Sequence, residues 1–380
     1  MTSPSDANSL GSVCRHAAMV LSALLALGAI SVASAQQPTA DAIIARYAEA
    51  RGGLARIKAL RTIMYRGVYT EGTFTLDNAV LSLMRPYYKL VGDPTQPPHD
   101  FAEGYDGSAW EFYEKPGVVL RTVGAASAAG RHAVYIDGPL IGYKERGWAV
   151  SVVGVSDVGD RKAFRLLVRM ADGYEEEELV DTATFLVIAE RKSMAIHAFG
   201  DKVTSESRLS DYRPVEGVLF AFTDREVEVA TGRVLNEMHY KSITANVAFD
   251  SAAFSPPVFV RTRLQSWVEQ LYAERADSSA VLWSYRDFRV ANPTVDTHAD
   301  VEFIGYQMLK MGDFQTAIAL LMRNAGDFPN VATAAFGLGR AYKSAGDTEK
   351  ARAQFTRALE IDPLYKPARQ ALDAKKGSPQ

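Results

Sequence analysis

Cysteine is almost missing from this chain. Its 380 residues hold one, Cys14, placed before the apolar stretch at the N-terminus. If that stretch is removed, no disulfide, no thiol nucleophile and no cysteine-ligated metal is left. Net charge is nearly missing too, at -3, which gives no global attraction to nucleic acid. The apolar stretch itself, Ala17 to Val32, falls short of the roughly 20 residues of a membrane span. Nucleotide and zinc-protease motifs are lacking: there is no Walker loop, no GxGxxG and no HExxH. Gly154-Val155-Ser156-Asp157-Val158-Gly159 resembles a nucleophile elbow only on the surface. It has no glycine two residues after the serine, and it lies where strand turns into strand. His99, His132, His197, His239 and His298 are scattered and read as surface or locally bonded residues. No catalytic residue, metal site or cofactor is expected from this inventory.

What is there begins with a processing signal over residues 1–35. Arg15 and His16 precede the apolar core, and Ala33-Ser34-Ala35 is a small-residue cleavage site, so Gln36 would begin the mature protein. A lipid anchor on Cys14 would need the cysteine after the core rather than before it. Export to the periplasm or beyond is the expectation.

Residues 36–257 read as a β-rich body entered through two helices. Ile43, Ile44 and Tyr47 make one apolar stripe, Gly52-Gly53 stops the helix, and Leu54, Ile57 and Leu60 make a second short stripe. Their polar sides are basic (Arg46, Arg51, Arg56, Lys58, Arg61 and Arg66, against Glu49), either a solvated face or an attraction for an acidic partner or lipid headgroup. From Thr62 the period becomes alternating. Glu71-Gly72, Asp106-Gly107 and Thr231-Gly232 mark hairpins, and Phe164, Leu166, Val168 and Met170 line one dry face. About eleven or twelve strands follow in sequence, read as a meander with one helical interruption near 124–141. A meander of that length must curl or close to hide its edges. The run Glu175 to Glu178 reads as a wet sheet edge, since alternate glutamates on a packed strand would be buried without partners. Asp137, beside Gly138, reads as turn chemistry.

Residues 258–300 form a helical connector, and 301–380 carry the most specific signal. Gly305, Ala317, Leu321 and Pro329 recur as Gly339, Ala351, Phe355 and Pro363, and Gly312-Asp313 recurs as Gly346-Asp347. That spacing is the 34-residue tetratricopeptide period, giving units 301–334 and 335–368. Two units are marginal, because about three are needed to bury a continuous core. The helices around Trp267 and Trp283 are expected to supply the missing layer.

The entry segment Ala45 to Gly67, the Asp106-Gly107-Ser108-Ala109-Trp110 hairpin and Ala253-Phe254 before the prolines together resemble the LolA/LolB-like outer-membrane lipoprotein-sorting family. The resemblance covers about Thr39 to Pro257. It implies an α+β fold: a curved, incomplete antiparallel β-barrel plugged by helices, here followed by an all-α repeat domain. In that family the cavity takes acyl chains, and a basic residue stands near its mouth. Arg66 is the candidate for that residue here. Tyr65, Tyr69, Phe74, Trp110, Phe112, Trp148 and Phe164 are the cavity-lining candidates; ordinary core is the alternative role for them. A sixteen-carbon chain buried against such a wall gains on the order of 12 kcal/mol before the costs of association.

These readings converge on an exported, non-enzymatic carrier or sensor of an acyl-chain or lipid ligand. The repeats would dock a protein partner, peripheral membrane contact is left open, and no nucleic acid is involved. The rival is a periplasmic interaction scaffold with a solid β core and no small ligand. A compact group of buried acids and histidines would reopen an enzymatic reading.

Overall fold

The computed structural model describes residues 38–95, 101–122, 131–195 and 202–373. The expected signal segment, 1–35, lies outside the described residues. Helix α1 (Ala40–Ala50) buries Ile43, Ile44, Tyr47 and Ala48, the stripe its sequence spells, with Asp41 in its first turn. Gly52 and Gly53, with φ of 121° and 98°, end it and turn the chain into α2 (Leu54–Ala59). No side chain could replace Gly52, since a Cβ there would lie 2.1 Å from the Gly217 carbonyl oxygen. The helix end is thus pressed against a strand turn, and the Leu219 N–H donates to the Arg51 carbonyl at 2.8 Å.

Thirteen described strands form one sheet: β1 (Thr62–Glu71), β2 (Phe74–Met84), β3 (Tyr88–Val91), β4 (Phe101–Tyr105), β5 (Ala109–Tyr113), β6 (Val118–Arg121), β7 (Ala149–Val158), β8 (Arg161–Arg169), β9 (Glu175–Asp181), β10 (Val187–Ala195), β11 (Lys202–Val215), β12 (Val218–Glu228) and β13 (Val234–Ala245). The sheet is antiparallel, curved and unclosed. Its order corrects the reading of a single meander. Two meanders, β1 to β6 and β7 to β13, meet in the middle of the sheet, where β1 pairs with β13. The edges are therefore β6 and β7, which are consecutive in sequence. The interruption that sequence placed near 124–141 is the crossing from one edge to the other. Its described part packs Ile136, Leu140, Ile141, Tyr143 and Trp148 into the core shared by α1, α2 and one face of the sheet. That face is called inner below. Strand β12 runs unbroken from Val218 to Glu228.

Asp137 does more than turn the chain. It is 3% exposed, and its two carboxylate oxygens accept from Arg85 at 3.1 Å and Arg146 at 2.6 Å, tying the crossing to β2.

After a 3₁₀ turn at Ser251–Phe254 come α3 (Arg263–Ala273), α4 (Ser278–Ala291), α5 (His298–Lys310), α6 (Phe314–Asp327), α7 (Ala332–Ser344), α8 (Thr348–Ile361) and α9 (Lys366–Asp373). The 34-residue repeat is visible as contacts. A Cβ on Gly305 would meet the Leu321 side chain at 2.7 Å, and one on Gly339 would meet Phe355 at 2.6 Å. Gly312 and Gly346 both turn with positive φ before the Asp313 and Asp347 caps. The missing layer is supplied by α3 and α4, whose Trp267, Leu271, Tyr285 and Phe288 share a core with Ile304 and Leu321. Trp267 stacks on Phe288 at 4.0 Å, whereas Trp283 is 61% exposed.

The repeats are docked on the β body. Val118 and Leu120 of edge strand β6 belong to the helical core. The Val119 N–H, which faces no further strand, donates to Glu269 Oε1 at 3.0 Å, and Tyr272 OH donates to the Arg121 carbonyl at 2.9 Å. Helix α3 thus satisfies backbone groups that an open edge would leave free for aggregation. Lys310 pairs with Glu111, and Tyr113 meets Phe303 edge-to-face at 4.9 Å.

Candidate functional site: the inner face of the sheet

The pleat sorts side chains strictly. On β9 the four glutamates divide by parity. Glu175 and Glu177 point outward and are paired, with Arg169 at 2.6 Å and with Arg165 at 2.5 and 3.0 Å. Arg191 and Arg208 continue this outer ladder onto Glu206, each at 2.7 Å. Glu176 and Glu178 point inward. Strand β9 lies between β8 and β10, so the expected wet edge is overturned: Glu178 is 2% exposed in mid-sheet.

On the inner face two cross-strand rows run side by side. One joins Glu178 to Glu190, Glu190 to Ser207 and Ser207 to Glu226 across β9, β10, β11 and β12. The other joins Glu176 to Lys192 and Lys192 to Ser205. Asp224 stands two residues before Glu226 on the same face and contacts Ser207. Glu178 and Glu190 are direct cross-strand neighbours, a like-charge arrangement that costs stability if both ionise. Burial therefore pushes the Glu178 carboxyl well above the usual range, with Glu190 and Glu176 adding to it. Burial raises Glu190 as well. Burial and the neighbouring Glu190 push Glu176 up to about 8 and Asp224 up to about 7. Burial opposes charge on Lys192, yet Glu226, Glu190 and Asp224 hold its ammonium above the ordinary value. Among the described residues, no hydrogen-bond donor reaches the Glu178 or Glu190 carboxylates. Arg51, 7% exposed, and Lys192 are the cations whose charge acts on these two carboxyls. The Arg51 guanidinium is already engaged, with Tyr47 OH at 3.0 Å and the Asp137 carbonyl at 2.7 Å.

Around the acids lies an apolar and aromatic rim. Tyr65 meets Tyr240 at 5.0 Å and Phe220 at 6.3 Å. Burial raises Tyr65 to about 12 and Tyr240 further still. Phe164 lies beside Phe185 at 6.0 Å, and Arg46 of α1 sits 3.6 Å over the Phe185 ring. Tyr65, Leu81, Val150, Val152, Phe164, Leu209 and Tyr240 are half-buried against the core rather than sealed in it.

The seven aromatics named from sequence do not form one wall. Tyr65, Trp148 and Phe164 belong to the inner-face core and its margin. Trp148 packs against Tyr135 at 4.9 Å and Arg146 at 5.1 Å. Trp110 and Phe112 belong to a separate core with Phe254 and Leu90; the Trp110 indole donates to the Phe254 carbonyl at 3.0 Å. Tyr69 donates to Glu71 at 2.8 Å, and Phe74 is 58% exposed on the β1–β2 hairpin. Arg66 follows Tyr65, so it leaves the opposite face of β1, where it pairs with Asp93 at 2.5 Å. The acid rows were missed. The signal for them was the alternation within EEEE set against Arg165 and Arg169 on the preceding strand.

Among the described residues, no three His, Cys, Asp or Glu side chains are placed to hold a metal ion, and no histidine hydrogen-bonds to the acid rows. His132 bonds Asp172 at 2.9 Å and stacks on Tyr174 at 4.6 Å. His298 bonds Asp296 at 2.7 Å.

Residues 308–375 match the tetratricopeptide repeat family. The β-rich body is similar in fold to LolA-superfamily and DUF1329 proteins. A DUF1329 family protein from Desulfovibrio piger is 12% identical over 58% of this chain and 98% of its own, with a TM-score of 0.39. The LolA superfamily protein NE2245 from Nitrosomonas europaea is 13% identical over 58% and 99%, with the same TM-score. At these values the likeness carries nothing about a ligand. Curated protein sequences give no match. No described helix is long and apolar enough to cross a membrane.

Proposed function

We propose that this protein is an exported, non-enzymatic carrier or sensor whose inner sheet face holds an amphiphile with an acyl-like chain, while the helical repeats engage a protein partner. The observation that supports the reading is the half-buried apolar band of the inner face. Two short helices and the edge-to-edge crossing cover part of a thirteen-stranded sheet. They leave Phe164, Leu209 and Tyr240 partly open beside the core. A chain laid along that band exchanges water contact for apolar contact at ~0.8 kcal/mol per methylene. Tyr65 and Phe164 are the lining residues retained in this reading; Trp148 is buried in the core. The body, residues 36–257, is the ligand module; α3 and α4, within 258–300, join it to the repeats at 301–380.

Native mass spectrometry with lipid extraction tests the reading on protein purified from an expressing cell envelope. Near-stoichiometric amphiphile in the wild type, lost in Phe164→Asp and Tyr240→Asp variants of unchanged melting temperature, is the expected result. Empty wild-type protein that also fails to bind a fluorescent fatty-acid probe favours the scaffold.

A further inference from the structure

The helical stack is finished at one end and open at the other. At the C-terminal end α9 closes the last unit, with Ala368 buried against Phe355 and Ala358. At the N-terminal end α3 and α4 pack on α5 and α6, and no described helix continues the stack on their other side. Repeat arrays ordinarily finish such an end with a polar face. Here it is a groove of about 710 Å³ between α3 and α4, with Trp267 and Phe288 at its floor. The α4 wall carries the exposed Trp283, and Val290, about two turns further along the same side, is 76% exposed.

Two charges stand at opposite ends of this groove, both on α3. Arg263 is the first residue of the helix and Glu274 is its C-cap; both line the groove. Each sits at the end the helix dipole disfavours, since the N-terminus prefers acids and the C-terminus bases. Neither has an ion pair among the described residues. Arg263 lies over the Phe288 ring at 6.0 Å, and Glu274 Oε1 accepts from the neutral Gln270 amide at 2.9 Å, while Oε2 has no hydrogen-bond partner. Arg261 and Glu269, close by, are paired with each other at 2.6 Å. At ~1.5 Å per residue the helix holds Arg263 and Glu274 about 16 Å apart, too far to pair within one chain.

We propose that the α3–α4 groove is the face on which a second copy of this chain docks, about a two-fold axis lying across the groove. That axis lays α3 antiparallel on the partner's α3, and α4 on its α4. Each Arg263 then meets the partner's Glu274, so an isologous interface carries the ion pair twice. The same operation brings each exposed Trp283 over the other copy's groove and takes its ring out of water. A helix from an unrelated protein would have to present an acid and a base at that one separation. A second copy presents them by symmetry. The β body takes no part, so the carrier reading can fail without touching this one.

Sedimentation equilibrium of the chain from Gln36 onward tests the pairing. A reversible dimer of micromolar affinity is expected. Trp283→Asp, Arg263→Glu and Glu274→Arg are each expected to weaken it at least about tenfold, the scale of losing a charge-assisted contact or a buried aromatic anchor. The double variant Arg263→Glu/Glu274→Arg is expected to recover most of the loss, a rescue that two side chains so far apart in one copy could not produce. Both swaps suit the helix dipole, so a weakened dimer would not come from an unravelled α3. Wild type that stays monomeric well above micromolar concentration overturns the proposal. A dimer indifferent to Trp283→Asp and to both swaps also overturns it, because the copies would then be joined elsewhere. Weakening without rescue in the double variant overturns the antiparallel two-fold. A monomer whose groove, carrying a photo-crosslinker at Ser266, labels a helix of another envelope protein gives the groove to that partner and overturns the second copy. Ser266→Arg, at an exposed position on the α3 wall, is expected to abolish the dimer by bulk and serves if either swap fails to fold; a dimer that survives it overturns the proposal.

Discussion

Asp224→Asn should stabilise this protein at pH 8 and do little at pH 4. The carboxyl is pushed from 3.8 up to about 7, first by burial and then by Glu190. Between those values the folded protein holds a proton that the unfolded chain has released. Stability from this group is thus fully present below pH 3.8 and lost as pH rises through 7. A difference of about three pKa units corresponds to about 4 kcal/mol at most. Losing the contact with Ser207 returns ~1 kcal/mol of that. The net gain for the asparagine variant at pH 8 is therefore ~1–3 kcal/mol, or several degrees in melting temperature at ~2–4 °C per kcal/mol. Thermal unfolding followed by circular dichroism, for wild type and variant at pH 4 and pH 8, gives the double difference and cancels the acid titration of the rest of the chain. A shift of equal size at both pH values, or destabilisation confined to pH 8, would refute the assignment of Asp224 as a desolvated acid.

Glu269→Ala should cost ~1–2 kcal/mol by stranding the Val119 N–H, and light scattering should register faster aggregation through the opened β6 edge. Gly339→Ala should cost ~1–3 kcal/mol, because the added carbon meets Phe355 at 2.6 Å; the repeat helices should melt earlier by circular dichroism. Arg51→Met should cost ~3 kcal/mol or more, measured by urea denaturation, since it strips donors from the Tyr47 hydroxyl and from the Asp137 and Leu219 carbonyls at once.

Local signals carried far in the sequence. The Ile43, Ile44, Tyr47 stripe and the Asp106-Gly107 hairpin each depend on residues a few positions apart, the Gly305/Gly339 repeat on a fixed period, and each is present where the pattern placed it. The sheet order was not legible, because nothing near Thr62 or Ala245 in the chain announces that these ends are partners. The acid rows were hidden for a related reason. Burying Glu178 is locally unfavourable, so sequence reasoning sent the whole EEEE run to solvent. Cross-strand Arg165 and Arg169 satisfy only the outward half, and the inward half stays unpaired. Aromatics misled in the other direction: Trp110 and Phe74 alternate as well as Tyr65 does, yet one is sealed under Phe254 and one is exposed on a hairpin.

The seam between β1 and β13 sets an order of assembly. As the chain emerges from its N-terminus, α1, α2 and the first meander are made early, and β1 must wait for the last strand of the body. Until β13 arrives, β1 has a free edge on one side, and the second meander has nothing to continue. Non-local pairing of this kind is slow to form, and the half-sheets are exposed while it is pending. The inner wall, whose Tyr65 comes from the first strand and Tyr240 from the last, exists only once the seam has closed. Cargo bound across those two rings would act as a latch on the finished sheet, favouring the joined state over the two halves.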